Sequence, residues 1–275
     1  MTTDNISTPA SAAVPDRTPR RVRHDVRFRI LEVLRVTRVT PHLVRVTLGG
    51  DELEGFTSLG FDDHVKLFFP DATGVLPRPV MGPDGLNFPG GRPPMRDYTP
   101  RSFDAAARTL DIEFAVHEAG PATDWAVRAK VGDKLGVGGP RGSFVIPMNF
   151  DGYVLIGDDT ALPAIARRLG ELPTGAKVTV LAEVDSAADE LTFETNADLT
   201  VHWVHRNGTG NPLPAALRAA QLPAGDIYTW VACESGVAKE LRAILVGEKQ
   251  LNKAWVKVAG YWRRGAVATH DTHED

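Results

Sequence analysis

Residues 151–170 read DGYVLIGDDTALPAIARRLG, and this stretch decides the fold of the second half of the chain. The apolar run 153–156 is typical of a strand that is buried on both faces within a parallel sheet. Gly157 ends this strand, and the pattern over residues 160–170 predicts a helix. A strand followed at once by a helix indicates the first unit of a doubly wound sheet.

The alternation of strand and helix continues to residue 258. Further strands are predicted at 178–183, 199–205, 228–232 and 254–258, and further helices at 212–220 and 235–245. Strands that alternate with helices predict a doubly wound parallel sheet, which we assign to residues 151–262. Sheets of this kind bind nucleotides beyond the carboxyl ends of their strands.

The first half of the chain has a different pattern. Over residues 28–48, β-branched side chains mostly alternate with polar ones, which predicts half-buried strands with a break at 40–42. Shorter strands are predicted at 65–69, 110–116 and 134–137. Several short strands separated by turns predict an antiparallel barrel over residues 22–150. The proline-rich segment 71–95 is predicted to be one long loop within it.

The two ends of the chain are polar. Residues 1–21 lack the apolar block of a secretion signal and are predicted to be a flexible leader, ending in a group of arginines that continues to Arg23. Residues 263–275 are predicted to be a polar tail. No apolar run reaches the ~20 residues needed to span a bilayer. We therefore expect a cytoplasmic protein without membrane contact, and we expect a monomer.

Composition excludes several kinds of function. The 275 residues carry a formal net charge of −4, so the molecule has no general attraction for nucleic acid or anionic lipid. Cys233 is the only cysteine, which excludes metal sites built from several thiolates of one chain. We predict no metal site, and an organic cofactor must carry any electrons. Glu113 is assigned to a strand surface, without a second carboxylate at catalytic spacing.

The hexapeptide 96–101 reads RDYTPR and is predicted to lie on one strand of the barrel. Alternation would place Arg96 and Tyr98 on one face, with Thr99 and Arg101 on the other. An aromatic plane, a hydroxyl and two guanidinium groups suit a flat redox-active ring that carries a diphosphate. A barrel strand with surface arginines explains the hexapeptide equally well.

Residues 119–125, AGPATDW, predict a tight turn that opens a helix running to about residue 130. The free amides at such a helix start form an anion site. A plain helix start capped by Thr123 is the alternative. The glycine-rich turn 138–142, which presents Arg141, follows one strand later, and this context favours the anion site.

Two segments of the second half follow predicted strands. Residues 157–163, GDDTALP, lie where a doubly wound fold would bind a nucleotide phosphate. Asp159 or Thr160 acting only as a helix cap is the alternative. Cys233, at the end of a later strand, could rest near a nicotinamide ring, although a buried and inert cysteine is the commoner outcome.

Six motifs in this order resemble those of the siderophore-interacting protein family, whose members are flavin reductases of ferric siderophores. The likeness runs from about Arg21 to Trp262. The motifs are residues 60–70, 96–101, 120–125, 139–142, 157–164 and 260–262. The resemblance implies a ferredoxin-reductase-like fold, with an FAD-binding barrel followed by an NAD(P)-binding sheet.

The resemblance also implies roles for single residues. Tyr98 would stack on the isoalloxazine, Thr99 would bond its reactive edge, and Arg96 and Arg101 would hold the phosphates. The remaining implied cofactor contacts are His117, Gly120, Ala122, Thr123, Trp125, Asp159, Thr160 and Trp262.

Further positions are implied for the substrates. A basic trio of Lys66, Arg141 and Lys257 would bind the anionic iron chelate. Cys233 and Glu234 would lie at the site of the electron donor, NADPH or NADH. Cys233 stands where relatives often have glycine, which is a departure from the family pattern.

The implied function is electron transfer from NADPH or NADH through FAD to a ferric siderophore, which releases Fe(II). One alternative is a general flavin or quinone reductase on the same scaffold. Another is a cytoplasmic siderophore-binding carrier without catalysis. A reduced ferredoxin in place of the nicotinamide donor is a third.

Overall fold

The computed structural model describes residues 16–71, 73–82, 85–89, 91–116, 120–206, 210–265 and 271–272. The strands before residue 150 are β1 (Arg20–Arg23), β2 (Phe28–Thr40), β3 (Leu43–Gly49), β4 (Val65–Phe68), β5 (Val80–Gly82), β6 (Gly85–Asn87), β7 (Met95–Tyr98), β8 (Pro100–Asp104), β9 (Thr109–Ala115), β10 (Lys134–Gly138) and β11 (Gly142–Val145). The later strands are β12 (Gly152–Asp158), β13 (Lys177–Val184), β14 (Asp198–His205), β15 (Ile227–Glu234), β16 (Val256–Trp262) and β17 (Asp271–Thr272). The helices are α1 (Pro121–Arg128), α2 (Leu162–Glu171), α3 (Pro212–Ala219) and α4 (Ser235–Ala243).

Seven antiparallel strands form the barrel, in the order β7-β4-β10-β2-β3-β9-β8. Strands β7 and β8 lie at opposite edges of this sheet, yet only Thr99 separates them in the chain. The sheet must therefore curl until its two edges meet. Its inward side chains, including Leu31, Leu67 and Phe114, are fully buried in one apolar core. The predicted antiparallel barrel is confirmed.

The prediction of a single strand over residues 96–101 is wrong. The chain changes partners at Thr99, because β7 pairs with β4 whereas β8 pairs with β9. Pro100 has no amide hydrogen and is tolerated as the first residue of an edge strand. The alternation of faces across the hexapeptide is therefore interrupted between Tyr98 and Pro100.

The segment 71–95 is not one continuous loop. It contains a short hairpin in which β5 pairs with β6, with Val80 opposite Asn87. Strands of three residues between glycines and prolines are too short to produce a periodic pattern. Sequence periodicity could not have detected them.

The end of the predicted leader makes defined contacts. Arg17 forms ion pairs with Asp151 and Asp226, and its guanidinium lies 5.5 Å from the ring centroid of Phe150. Strand β1 pairs with β11 outside the seven-stranded sheet. Residues 17–23 therefore pack against both halves of the molecule. In the predicted tail, β17 pairs antiparallel with β16.

The second half contains a parallel sheet of order β14-β13-β12-β15-β16, with β17 added at one edge. Numbered from β12, the five parallel strands have the order 3-2-1-4-5 of a doubly wound fold, which confirms that prediction. Gly157 allows the tight turn after the central strand. A Cβ at Gly157 would lie 2.3 Å from the Cβ of Ala161 and 2.7 Å from the carbonyl oxygen of Ala232.

The described ranges lack two kinds of feature. No helix there is both long and apolar enough to cross a bilayer. The same ranges contain no group of three or more His, Cys, Asp or Glu side chains placed to hold a metal ion.

Candidate functional site

A cleft lies where the barrel meets the parallel sheet, and we name it the barrel cleft. The barrel contributes one wall through β4, β7 and Thr99, and the parallel sheet contributes the other through the segment after β12 and through β16. The lining side chains used below are Lys66, Arg96, Tyr98, Thr99, Thr160 and Tyr261. The structure thus brings together four predicted cofactor residues and one predicted substrate residue.

Tyr98 is fixed in this cleft by aromatic packing. Its ring centroid lies 4.5 Å from that of Phe114, and Trp125 of α1 packs on Phe114 at 5.7 Å. One side of the Tyr98 ring therefore rests on the barrel core while the residue lines the cleft. Burial raises the pKa of Tyr98, and nearby Arg96 opposes this only in part. The phenol is neutral at physiological pH.

Thr99 is buried and is held from the parallel sheet. Its side chain shares a hydrogen bond with Tyr261 of β16. The carbonyl oxygen of the next residue, Pro100, accepts a hydrogen bond of 3.0 Å from Nη1 of Arg167 on α2. The position of the hydroxyl therefore depends on how the two halves pack. The role of Tyr261 was not predicted, although it lies within the quoted motif 260–262.

The two arginines of the hexapeptide have different surroundings. Arg96 is half-buried, lines the cleft and donates from Nη1 to the carbonyl oxygen of Met95 at 2.7 Å. Arg101 instead points toward Glu113, with its Nε 3.9 Å from Oε2. Glu113 is buried and also binds Arg45 at 2.8 Å, so its assignment to a strand surface is wrong. Arg101 is not among the described residues that line the cleft.

Thr123 does not cap helix α1. Its N-cap is Gly120, which has no side chain to donate or accept, and Thr123 lies within the first turn. Among the described residues, no atom would lie within 4 Å of a Cβ at Gly120. Ala122 is buried. His117 lies outside the described residues.

The three predicted substrate cations line two adjoining clefts. Lys66 lines the barrel cleft and lies 2.6 Å from Oδ1 of Asp97. Arg141 and Lys257 line the second, which we name the basic cleft. Nζ of Lys257 lies 2.7 Å from Oδ2 of Asp62.

The barrel cleft and the basic cleft share lining residues. Asp62, His64 and Tyr261 belong to both, so the two clefts adjoin. Asp62 is held in this shared wall by Nε1 of Trp230, which donates to it at 3.0 Å. A molecule in the basic cleft would therefore lie beside a molecule in the barrel cleft. Sequence analysis did not identify this shared wall, because its residues are far apart in the chain.

A third cleft, the sheet cleft, lies at the carboxyl ends of β12, β13 and β15. It is lined by the predicted donor residues Cys233 and Glu234 and by Trp262. Burial raises the pKa of the Cys233 thiol, so this thiol is neutral. Oε2 of Glu234 accepts hydrogen bonds from the amides of Gly236 and Val237 at 2.6 and 3.0 Å. Glu234 therefore also caps α4.

Asp158 organises the sheet cleft, and sequence analysis did not identify it. The carboxylate is buried and accepts hydrogen bonds from Nε1 of Trp262 at 2.7 Å and from the Thr160 amide at 3.0 Å. Burial, with Asp159 nearby, raises the pKa of Asp158 to about 6. Asp158 therefore caps the 3₁₀ turn Asp159–Ala161 that precedes α2, whereas the N-cap of α2 itself is Ala161, so neither Asp159 nor Thr160 caps that helix. Asp159 forms an ion pair with Arg206 at 2.7 Å.

The barrel, the doubly wound sheet and the cleft between them have the ferredoxin-reductase-like fold. Residues 32–144 match the model of the siderophore-interacting FAD-binding domain, and residues 150–265 match that of the siderophore-interacting protein. The chain belongs to the siderophore-interacting protein family, which confirms the resemblance.

Individual relatives are similar over nearly their whole length. The NADPH-dependent ferric-chelate reductase of Escherichia coli (strain K12) is 39% identical over 90% of this chain and 97% of its own. The ferric vibriobactin reductase ViuB of Vibrio cholerae is 33% identical over 86% of this chain and 90% of its own. The crystal structure of a siderophore utilization protein from T. fusca has 42% identity and a TM-score of 0.84, and the match covers 94% of this chain and 100% of that one.

The residues of the barrel cleft fit an FAD molecule. Tyr98 offers an aromatic surface beside the buried Thr99, and Arg96 offers a guanidinium in the same cleft. Gly120, the N-cap of α1, has no side chain to cover the first amides of that helix, and free amides at a helix start can bind a diphosphate. Nε of Arg101 is buried 3.9 Å from Oε2 of Glu113 and has no hydrogen-bond acceptor in the described ranges, so Arg101 does not contribute to this fit as it stands.

Proposed function

We propose that this protein is a flavin-dependent ferric-siderophore reductase that takes electrons from NADPH or NADH. The observation that carries the proposal is that the barrel cleft and the basic cleft adjoin and share the lining residues Asp62, His64 and Tyr261. A cofactor in one cleft and an anionic iron chelate in the other would be neighbours. Membership of the family and the printed names of the reductases from E. coli and V. cholerae support this function.

We propose that residues 22–150 form the FAD-binding unit. Tyr98 would stack on the isoalloxazine, and Thr99, oriented by Tyr261, would donate to its reactive edge. Arg96 and the first amides of α1 would hold the diphosphate, with Arg101 as a further donor. Bound FAD supplies the conversion between a two-electron hydride donor and a one-electron iron acceptor.

The remaining proposed cofactor contacts lie in different parts of the structure. Thr160 lines the barrel cleft, whereas Trp262 lines the sheet cleft. Trp125 packs against Phe69 and Phe114 and would act by fixing α1. His117, Ala122, Thr123 and Asp159 remain proposals from the family pattern.

We propose residues 151–262 as the unit that binds the electron donor. A doubly wound sheet binds its ligand at the strand ends where the chain order reverses, which here is the crevice between β12 and β15. Cys233, Glu234 and Trp262 line this crevice. The name of the E. coli relative favours NADPH over NADH. A reduced ferredoxin is the competing donor.

The proposed acceptor site uses Lys66, Arg141 and Lys257 to attract and orient an anionic chelate. Hard anionic oxygens hold ferric iron strongly and ferrous iron weakly, so adding one electron would release the metal. The protein has to orient the reactants and supply charge, and no side chain needs to transfer a proton. We further propose that the protein acts as a monomer in the cytoplasm.

Anaerobic stopped-flow mixing tests the proposal. The FAD-loaded protein is mixed with NADPH or NADH while flavin absorbance is followed, and then with a ferric siderophore and a chromogenic Fe(II) chelator. We expect the flavin to bleach with a nicotinamide nucleotide and to recover its colour as Fe(II) forms. Protein that binds no FAD, or whose reduced form reacts with quinone or free flavin but leaves the ferric chelate unchanged, would contradict the proposal.

A further inference from the structure

Strand β1 forms one side of the basic cleft. In its pairing with β11, Arg21 lies opposite Phe144 and Arg23 lies opposite Gly142. Residues two apart on a strand share a face, and both arginine side chains are exposed and line the cleft. They therefore lie on the same cleft as Arg141.

The position of β1 is fixed by close contacts. A Cβ at Gly142 would lie 2.6 Å from the carbonyl oxygen of Val22, so only glycine permits this approach of the two strands. The amide of His24 donates to the carbonyl oxygen of Arg141 at 3.0 Å, and its ring nitrogen Nε2 lies 2.7 Å from Oγ of Ser143. The cations on β1 are thus held at a set position beside the turn that carries Arg141.

The cleft carries an excess of positive charge. Among the described residues, its lining contains four cations, Arg21, Arg23, Arg141 and Lys257, and two carboxylates. Asp62 is paired with Lys257, and the other carboxylate, Asp63, is buried and receives hydrogen bonds from Ser58 and Ser143. Within the described ranges, Arg23 and Arg141 form no ion pair. This local excess occurs on a chain with a net charge of −4.

An aromatic ring lies among these cations. Nζ of Lys257 is 4.5 Å from the centroid of the Phe144 ring, and the guanidinium carbon of Arg21 is 5.5 Å from it. Contacts of this kind hold a cation near a ring face. The cleft therefore combines fixed positive charge with apolar surface, which suits a bulky anion better than a small hydrated one.

We propose that Arg21 and Arg23 form the outer part of the acceptor site and recognise the negative charge of the bound chelate. The inference rests on the proposed function, since it places the iron chelate in the basic cleft. These two arginines would make the protein prefer multiply anionic metal chelates over neutral ones of similar size. Strand β1 would thus act in substrate selection.

Gallium(III) chelates test this inference without electron transfer, because Ga³⁺ resembles Fe³⁺ in its ligands but is not reduced. A trianionic Ga(III) tricatecholate and a neutral Ga(III) trihydroxamate are titrated into FAD-loaded protein by isothermal calorimetry. The variants are the double substitution Arg21→Gln with Arg23→Gln, and Arg20→Gln as the matched control. Arg20 is also exposed on β1 but is not among the described residues that line the basic cleft.

We expect the double variant to bind the trianionic chelate on the order of fivefold more weakly, with unchanged affinity for the neutral chelate. Arg20→Gln should bind both chelates as the wild type does. Equal weakening in the control, or wild-type affinity in the double variant, would overturn the inference. If the wild type reduces ferric chelates but the double variant binds normally, only this inference fails. If the wild type binds neither chelate, the proposed function fails with it.

Discussion

Nζ of Lys66 on β4 lies 2.6 Å from Oδ1 of Asp97, the residue directly opposite on β7. This proposed substrate cation therefore carries its own counter-charge within the barrel cleft. Arg141, in contrast, is exposed and has no ion pair in the described ranges. The members of the proposed substrate trio are not equivalent, and their substitution should have different effects.

Removing the unpaired cation should weaken the acceptor site most. We expect Arg141→Ala to raise the KM for an anionic ferric siderophore about tenfold, which is about 1.4 kcal/mol. Lys66→Ala should raise it less, about threefold, because Asp97 already offsets part of its charge. Steady-state kinetics with Lys239→Ala, an exposed lysine on α4, as the control would check this. Unchanged KM values in both variants would refute the proposed trio.

Removing the counter-charge should have the opposite effect. In Asp97→Asn, the Lys66 ammonium loses its paired carboxylate and is available to the chelate. We expect the KM for an anionic ferric chelate to fall about threefold, while the KM for the nicotinamide donor stays constant. A higher KM in this variant would mean that Asp97 orients Lys66 and does not attenuate it.

The two arginines of the hexapeptide should differ in their effect on cofactor retention. Arg96 lines the barrel cleft, whereas Arg101 lies against the buried Glu113. We therefore expect Arg96→Gln to lose about tenfold or more in FAD affinity, and Arg101→Gln to lose less. The measurement is the titration of FAD into flavin-free protein, followed by flavin fluorescence. The reverse order would assign the diphosphate to Arg101.

Stability should depend on pH through Asp158. Because burial raises its pKa from 3.8 to about 6, the folded state binds this proton more tightly than the unfolded state. The resulting stabilisation is fully present below pH 3.8 and is lost as the pH rises through 6. From pH 5 to pH 7 the wild type should lose about 1 kcal/mol relative to Asp158→Asn. Urea unfolding of both proteins at the two pH values measures this difference, and parallel pH dependences would contradict the assignment.

Arg167 should couple the two halves of the molecule. Its guanidinium donates to the Pro100 carbonyl at 3.0 Å and to both oxygens of Ser58 at 2.9 Å, and its side chain is 8% exposed. Arg167→Met would leave buried acceptors unsatisfied and should lower the free energy of unfolding by about 2–4 kcal/mol. Thermal or urea unfolding checks this, with the exposed Arg128→Met as the control. FAD affinity should fall as well, because Thr99 adjoins Pro100.

Sequence patterns determined the order and type of most elements. The alternation over residues 28–48 predicted β2 and β3 with their break, and the buried run 153–156 predicted β12. These signals are local, because strand and helix periods repeat within a few residues. The hairpin of β5 and β6 and the break at Thr99 escaped prediction. Strands β5 and β6 are too short for a period, and the break at Thr99 arises because β7 pairs with β4, about 30 residues earlier in the chain, whereas β8 pairs with β9.

The sequence by itself determined the two-domain architecture, the family and a set of residues suited to a flavin, since each follows from local pattern or ordered motifs. Only the tertiary structure decided how those residues are grouped. It brought Tyr261 into a hydrogen bond with Thr99 and Trp262 into a hydrogen bond with Asp158, and it placed the arginines of β1 on the same cleft as Arg141. These contacts join residues far apart in the chain and arise when the sheet curls and the two halves pack, so no local pattern encodes them.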